Sequence, residues 1–111
     1  MAEKLLDFNE ALDRLGGDAE FLTELLYELL SQIDQNFSEI KNAIVEKKFD
    51  ELKSLSHSLK GASANLNVNR LASRFLALED LGAAKSVEGA NEILELIAQD
   101  KNELKVFLSQ N

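Results

Sequence analysis

The fold of this chain is decided by residues 19–47, which read AEFLTELLYELLSQIDQNFSEIKNAIVEK. Leucine, isoleucine and phenylalanine recur in this stretch every three or four residues, and this spacing predicts one amphipathic helix about 40 Å long. The same spacing is compatible with a coiled-coil dimer. We predict a monomer instead, because the segments on either side supply apolar faces that can cover this stripe.

Four other segments have the apolar spacing of helices, and glycines or short polar breaks separate them. They span about residues 5–15, 50–66, 69–81 and 87–109. Asp18 and Asp50 are the predicted N-caps of the second and third helices, and Gly82 is the predicted end of the fourth. We predict an all-α fold. Because the connections are short, the helices should form an antiparallel up-down-up-down four-helix bundle with a short additional N-terminal helix. We predict one domain over residues 1–111.

The composition narrows the classes of function. The 111 residues carry a net charge of −8 and contain no cysteine, which leaves no disulfide framework and no thiolate zinc site. The acidic balance argues against nucleic acid as a partner, because phosphate contacts need a larger basic face. No apolar run approaches the roughly 20 residues of a membrane span, and the N-terminus has no signal-peptide pattern. We therefore predict a cytoplasmic protein without membrane insertion.

The only histidine, His57, is predicted to face solvent from the third helix. The apolar positions of that helix cluster on one face, and His57 projects roughly 170° away from their mean direction. These apolar positions are Leu52, Leu55, Leu59, Ala62 and Leu66. The same outward face carries Lys53, Lys60, Gly61 and Ala64. The imidazole is therefore a potential nucleophile between two cations.

Gly61 and the local charge set this histidine apart from an ordinary surface residue. Glycine inside a helix costs about 1 kcal/mol relative to alanine, and the apolar pattern does not require one at this position. Its small size would let a phosphoryl group or a partner surface approach the ring. No acidic residue lies between Glu51 and Glu79. The basic residues in that interval are Lys53, Lys60, Arg70 and Arg74. A basic cluster in an acidic chain predicts a site that stabilises an anion.

The sequence around His57, FDELKSLSHSLKGASANL over residues 49–66, resembles the histidine-containing phosphotransfer (HPt) domain of bacterial multistep phosphorelays. The core of the resemblance is the motif His-x-Leu-Lys-Gly. Outside that stretch, the matching residues are Leu71, the pair Leu78 and Glu79, and the run Leu15-Gly16-Gly17-Asp18 before the long helix. The chain departs from the family at Asn67, where glycine is usual. Asparagine also tolerates the left-handed conformation, so we predict that the turn is kept.

The resemblance implies a phosphoryl carrier. In HPt domains the histidine accepts a phosphoryl group from a phosphoaspartate in the receiver domain of a hybrid histidine kinase and passes it to an aspartate of a response regulator. His57 would be the phosphorylated residue, on the ring nitrogen distal to the main chain. Lys60 and Gly61 would act directly at the ring. Lys53 and Arg74 would lie in the phosphate environment.

The N-terminal helix carries more apolar residues than a short helix needs to bury, and in HPt domains such a patch docks a receiver domain. The predicted partner-binding residues are Leu5, Leu6, Phe8 and Ala64. An interpretation of equal weight is that the N-terminal side chains only seal the end of the bundle.

The sequence contains no glycine-rich nucleotide loop, so we predict a carrier that is not itself an enzyme and has no cofactor of its own. Mg²⁺ is expected only in the partner receiver domain. A di-iron bundle would need two Glu-x-x-His motifs, whereas this chain has one histidine with Ser54 three residues before it. The stronger alternative is a catalytically idle helical adaptor that only binds a partner domain.

Overall fold

A computed structural model describes residues 3–110, and in that range it contains five α-helices and no β-strand. The helices are α1 Phe8–Arg14, α2 Ala19–Val45, α3 Phe49–Asn65, α4 Asn69–Ala83 and α5 Ala90–Ser109. Each of the four long helices packs against the next, α5 packs back against α2, and α1 lies beside α2. The predicted all-α helical bundle is confirmed. Within residues 3–110, no helix is both long and apolar enough to cross a bilayer.

The core lies between the four long helices, where the apolar stripes meet. On α2, Leu22, Leu26 and Ile33 have no exposed surface, because they repeat along one face of the helix. The apolar spacing of residues 19–47 also includes Phe21, which was therefore expected to be buried, but 45% of it is exposed. Its direction lies roughly 100° from the centre of the buried face, which explains the difference.

The helix caps agree with the sequence at Asp18 and differ at Asp50. The Asp18 carboxylate accepts a hydrogen bond from the backbone N–H of Phe21 at 3.0 Å, so the predicted N-cap of α2 is confirmed. The prediction for Asp50 is wrong, because α3 begins at Phe49 after Lys48, which makes no side-chain cap. Asp50 lies in the first turn instead, where a carboxylate still favours the positive end of the helix dipole.

The first helix is shorter than predicted because it begins at Phe8 and not at Leu5. The Asp7 carboxylate caps it by accepting the backbone N–H of Glu10 at 3.1 Å. The predicted start of α5 at residue 87 is also too early, since Gly89 adopts a left-handed φ of 80° just before Ala90.

The segment before α1 is fastened to the connection between α3 and α4. The backbone N–H of Asp7 donates to the carbonyl of Asn67 at 2.9 Å, and the N–H of Arg70 donates to the carbonyl of Leu5 at 3.3 Å. Asn67 has a φ of 59°, so the predicted left-handed turn is confirmed. These bonds hold Leu5 in the core, where it is only 8% exposed.

Gly82 does not end α4, contrary to the prediction. The helix continues to Ala83, and the left-handed residue after it is Lys85, with a φ of 54°. Gly82 is buried where α4 lies against α3, and a Cβ atom there would stand 2.9 Å from the carbonyl oxygen of Phe49. The glycine therefore allows close helix packing and is not a stop signal.

Candidate functional site

Helix α3 presents His57 to solvent, as its spacing predicted. The His57 side chain is 67% exposed, whereas Leu52 and Leu59 on the opposite face of α3 are buried. A nucleophile on a rigid helix, held outward by a buried opposite face, is accessible to another molecule without any rearrangement of the fold.

Glu79 of α4 reaches the histidine ring and orients it. Its Oε2 lies 3.1 Å from Nδ1 of His57, and its Oε1 lies 2.9 Å from Nζ of Lys60. The Glu79 side chain is only 17% exposed. One carboxylate therefore joins the two residues of α3 that the sequence had placed at the site.

The electrostatics of this group fix which ring nitrogen is free. The Lys60 ammonium lowers the pKa of Glu79, assisted by the bond to His57 and opposed by partial burial. Glu79 is therefore a carboxylate at neutral pH and can only accept a hydrogen bond, so Nδ1–H of His57 is the donor. The lone pair of the neutral ring is then on Nε2.

Gly61 leaves open space beside the ring. A Cβ atom built at this position meets no atom within 4 Å. Nothing in the packing of residues 3–110 accounts for the glycine, in contrast to Gly82. The space that it leaves lies one helical turn from His57, on the same outward face of α3.

Lys53 and His57 line an open depression of about 380 Å³ between α3 and α4. Asp50, Ser54 and Glu79 complete its wall. Lys53 forms no ion pair within the described part of the chain, so its charge is available to an incoming anion. The predicted place of Lys53 beside the histidine agrees with this geometry.

The structure does not bring Arg74 to the histidine. Its Nε lies 3.1 Å from Asp100 Oδ2, and Arg70 Nε lies 3.0 Å from Oδ1 of the same carboxylate. Arg70 also contacts Glu103 at 2.6 Å. Burial works to lower the pKa of Arg70, but the bond to Glu103 and the charge of Asp100 outweigh it and raise that pKa. Both arginines are therefore neutralised by α5, and the expected basic cluster around His57 reduces to the two lysines.

The predicted partner-binding residues fall into separate places. Leu5 is buried in the core and is not available for docking. Leu6 and Phe8 are half-buried and line a groove at the end of the bundle with Val106. Ala64 is exposed and lies in another depression, together with Lys60, Ser73 and Leu76.

Sequence reasoning missed two residues of this surface. Glu79 was noted only as part of the family resemblance, because no sequence spacing relates a residue of α4 to one of α3. Leu76 is 43% exposed and shares the depression that contains Lys60. Its position off the apolar stripe of Leu71 and Phe75 was the available signal.

The fold and the site together define a class of protein, a helical bundle that displays one oriented histidine on the outer face of a helix. A family model described as the Hpt domain matches residues 24–107, and the chain belongs to that family. Its role is histidine phosphotransfer in phosphorelays, in which Hpt domains interact with receiver domains. No match was found among the curated proteins or among the solved structures.

Proposed function

We propose that His57 carries the phosphoryl group on Nε2 and passes it from the receiver domain of a hybrid histidine kinase to that of a response regulator. The observation that supports this proposal best is the contact of 3.1 Å between Nδ1 and Glu79. It leaves Nε2 as the ring nitrogen with a lone pair. Within the described residues, Nε2 has no hydrogen-bond partner, and the His57 side chain that carries it is mostly exposed.

The transfer step is a displacement at phosphorus. Nε2 attacks the phosphorus of the receiver phosphoaspartate, the N–P bond forms, and the bond between phosphorus and the aspartate oxygen breaks, releasing a carboxylate. The imidazole gains positive charge as the N–P bond forms, while the Nδ1 proton stays in its bond to Glu79. The Glu79 carboxylate stabilises the charged ring in the way that an aspartate supports a catalytic histidine. Reversal of the step delivers the group to the next aspartate.

Two lysines support the proposal, because their charges would neutralise the phosphoryl oxygens during transfer. Lys60 lies one helical turn from His57 and is held at the site by Glu79 at 2.9 Å. Lys53 lies one turn before the ring and lines the same depression as His57. Charge neutralisation and in-line positioning are most of what phosphoryl transfer requires from a protein.

The receiver domain is proposed to dock over the exposed surface of α3 and α4 around His57. Ala64 and Leu76 supply small and apolar contacts there, and Gly61 supplies clearance for the ring. Leu6 and Phe8 would extend this surface only for a partner that reaches the end of the bundle. The acidic Mg²⁺ pocket expected in a receiver would meet Lys53 and Lys60, which favours rapid and transient encounter.

The chain is proposed to act as a cytoplasmic, monomeric carrier within one domain over residues 1–111. The apolar stripes of α2 to α5 face one another, so the bundle completes its core without a second copy. A carrier needs no nucleotide site or cofactor of its own, and the Mg²⁺ of the reaction would be held by the receiver.

Incubation with a phosphorylated receiver domain tests the proposal. The chain should gain a label that is labile in acid and stable in alkali, as expected for a phosphohistidine. The catalytically idle adaptor is the competing outcome. It would bind the receiver and gain no label, and that result would remove the proposed function.

Lys60 and Lys53 are expected to contribute unequally. Lys60→Ala should slow transfer roughly three- to tenfold, because one charge-assisted contact to the phosphoryl group is lost. Lys60→Arg should recover part of the rate, and Lys53→Ala should have a smaller effect. Stability should change by tenths of a kcal/mol. Stopped-flow transfer at low and high salt gives the rates, and wild-type kinetics in Lys60→Ala would remove this lysine from the mechanism.

Lys60→Ala should also raise the pKa of Glu79, since the lysine is the main cause of its lowered value. A carboxyl whose folded pKa is depressed stabilises the fold above its unfolded pKa and loses that contribution as pH falls through the folded pKa. The contact with His57 should therefore be lost at a higher pH in Lys60→Ala than in the wild type. NMR titration of the Glu79 side-chain carboxyl measures the change directly.

Gly61→Gln should separate stability from activity. The substitution should stabilise α3 by several tenths of a kcal/mol, because glutamine has the higher helix propensity and the site is open. Transfer should slow, because the new side chain obstructs the approach to His57. Gly61→Ala is the matched control, because its gain in helix propensity is larger, about 1 kcal/mol, while its side chain obstructs less. A Gly61→Gln variant that is both more stable and equally fast would contradict the steric account.

A further inference from the structure

Gly82 lies where the backbones of α3 and α4 approach each other closely. A Cβ atom at this position would stand 2.9 Å from Lys53 N, 2.9 Å from Phe49 O and 3.0 Å from Lys53 Cβ. Two of these three atoms belong to the backbone of α3 and cannot rotate away as a side chain can. Any side chain at position 82 therefore forces the two helices apart in a densely packed region.

The register of the two helices couples this contact to the site. Glu79 precedes Gly82 by three residues on α4, and Lys53 precedes His57 by four residues on α3. Positions three or four apart lie on the same face of a helix, one turn from each other. The contact between Gly82 and Lys53 is thus one turn away from the contact between Glu79 and His57.

We propose that Gly82 is a positioning residue for phosphoryl transfer. By holding α3 and α4 close together, it keeps the Glu79 carboxylate within hydrogen-bond reach of Nδ1 of His57, and so selects the ring tautomer with the lone pair on Nε2. This inference rests on the proposed function of His57. It explains what keeps the His57 ring in the orientation that transfer requires.

The distances leave little tolerance for a wider helix spacing. The contact between Nδ1 and Glu79 is 3.1 Å, close to the upper end of the usual range of about 2.7–3.2 Å for an N–H···O hydrogen bond. A separation of roughly 0.5 Å, the order needed to relieve a Cβ contact of 2.9 Å, would carry it beyond that range. Glu79 cannot swing freely to compensate, because its other oxygen is held by Lys60 at 2.9 Å.

The experiment uses Gly82→Ala in the full chain, with ¹⁵N-labelled histidine. In the wild type, at a pH where the ring is neutral, the ¹⁵N chemical shifts of the two ring nitrogens should show that the proton is on Nδ1. In Gly82→Ala they should move towards the Nε2–H form, and transfer from a phosphorylated receiver should slow roughly fivefold, the factor that one lost hydrogen bond of ordinary strength removes. The tautomer readout does not depend on phosphorylation, so it can succeed or fail separately from the proposed function.

Two controls separate positioning from general destabilisation. Gly61→Ala makes the same change at a helical glycine with open space around it, and should leave the tautomer unchanged. Leu104→Ala weakens the core on α5, and its folded population should keep both the wild-type tautomer and the wild-type transfer rate. If Gly82→Ala unfolds in buffer, trimethylamine N-oxide favours the compact state, and wild type in the same solution is the reference. A folded Gly82→Ala with the wild-type tautomer overturns the proposal.

Discussion

A His57→Gln variant is expected to accept no phosphoryl group while it keeps the helicity and melting temperature of the wild type. Glutamine provides no ring nitrogen to attack phosphorus, so the loss should be complete. The fold should be preserved, because the His57 side chain is 67% exposed and its replacement should cost about 0.5 kcal/mol or less. Labelling by a phosphorylated receiver and thermal unfolding followed by circular dichroism measure the two expectations.

Ser58→Ala is the matched control for this variant, since Ser58 is the exposed neighbour of the histidine on α3. It should be labelled at the wild-type level and unfold at nearly the same temperature. A label retained by His57→Gln would place the phosphorylated residue elsewhere. Unfolding of His57→Gln would contradict the assignment of the ring to the outer face of the helix.

The second large effect is expected on stability, from Asp100→Ala. Asp100 is 3% exposed and is the common partner of Arg70 and Arg74, which lie on α4. Removing the carboxylate leaves two guanidinium groups beside a buried methyl group, without their shared counter-charge. Breaking a buried ion pair costs about 3–5 kcal/mol, and because these arginines are partly exposed we expect about 2–3 kcal/mol. Urea unfolding measures the change.

Glu103→Ala provides the matched control for this cluster. Glu103 also contacts Arg70, but its side chain is 58% exposed, so its removal should cost less than about 1 kcal/mol. Both variants should transfer phosphate at nearly the wild-type rate under conditions in which they are folded, because neither residue contacts His57. Equal losses in the free energy of unfolding of the two variants would show that the burial of Asp100 does not determine how much these ion pairs stabilise the fold.

The features that the sequence predicts well are those set within one helix. The direction of His57 follows from the spacing of Leu52 and Leu59, because a regular helix relates side chains a few residues apart by a fixed angle. The cap at Asp18 and the left-handed turn at Asn67 were predicted for the same reason, since each depends on neighbouring residues alone.

The features that the sequence did not predict depend on contacts between helices. Arg74 was assigned to the phosphate environment because it is one of the basic residues in the acid-free interval between Glu51 and Glu79, yet Asp100 of α5 neutralises it in space. Gly82 was predicted to end a helix. The structure shows instead that a glycine is needed there because the backbone of α3 lies against it. The role of Glu79 likewise required the register between α3 and α4.

The most direct test of the central claim is to locate the phosphorus on the histidine ring. The chain, labelled with ¹⁵N-histidine, is phosphorylated by a receiver phosphoaspartate, and the one-bond coupling between ³¹P and ¹⁵N identifies the bonded nitrogen. We expect coupling to Nε2 of His57, with Nδ1 still protonated beside Glu79. Coupling to Nδ1, or phosphorus on any residue other than His57, would contradict the account.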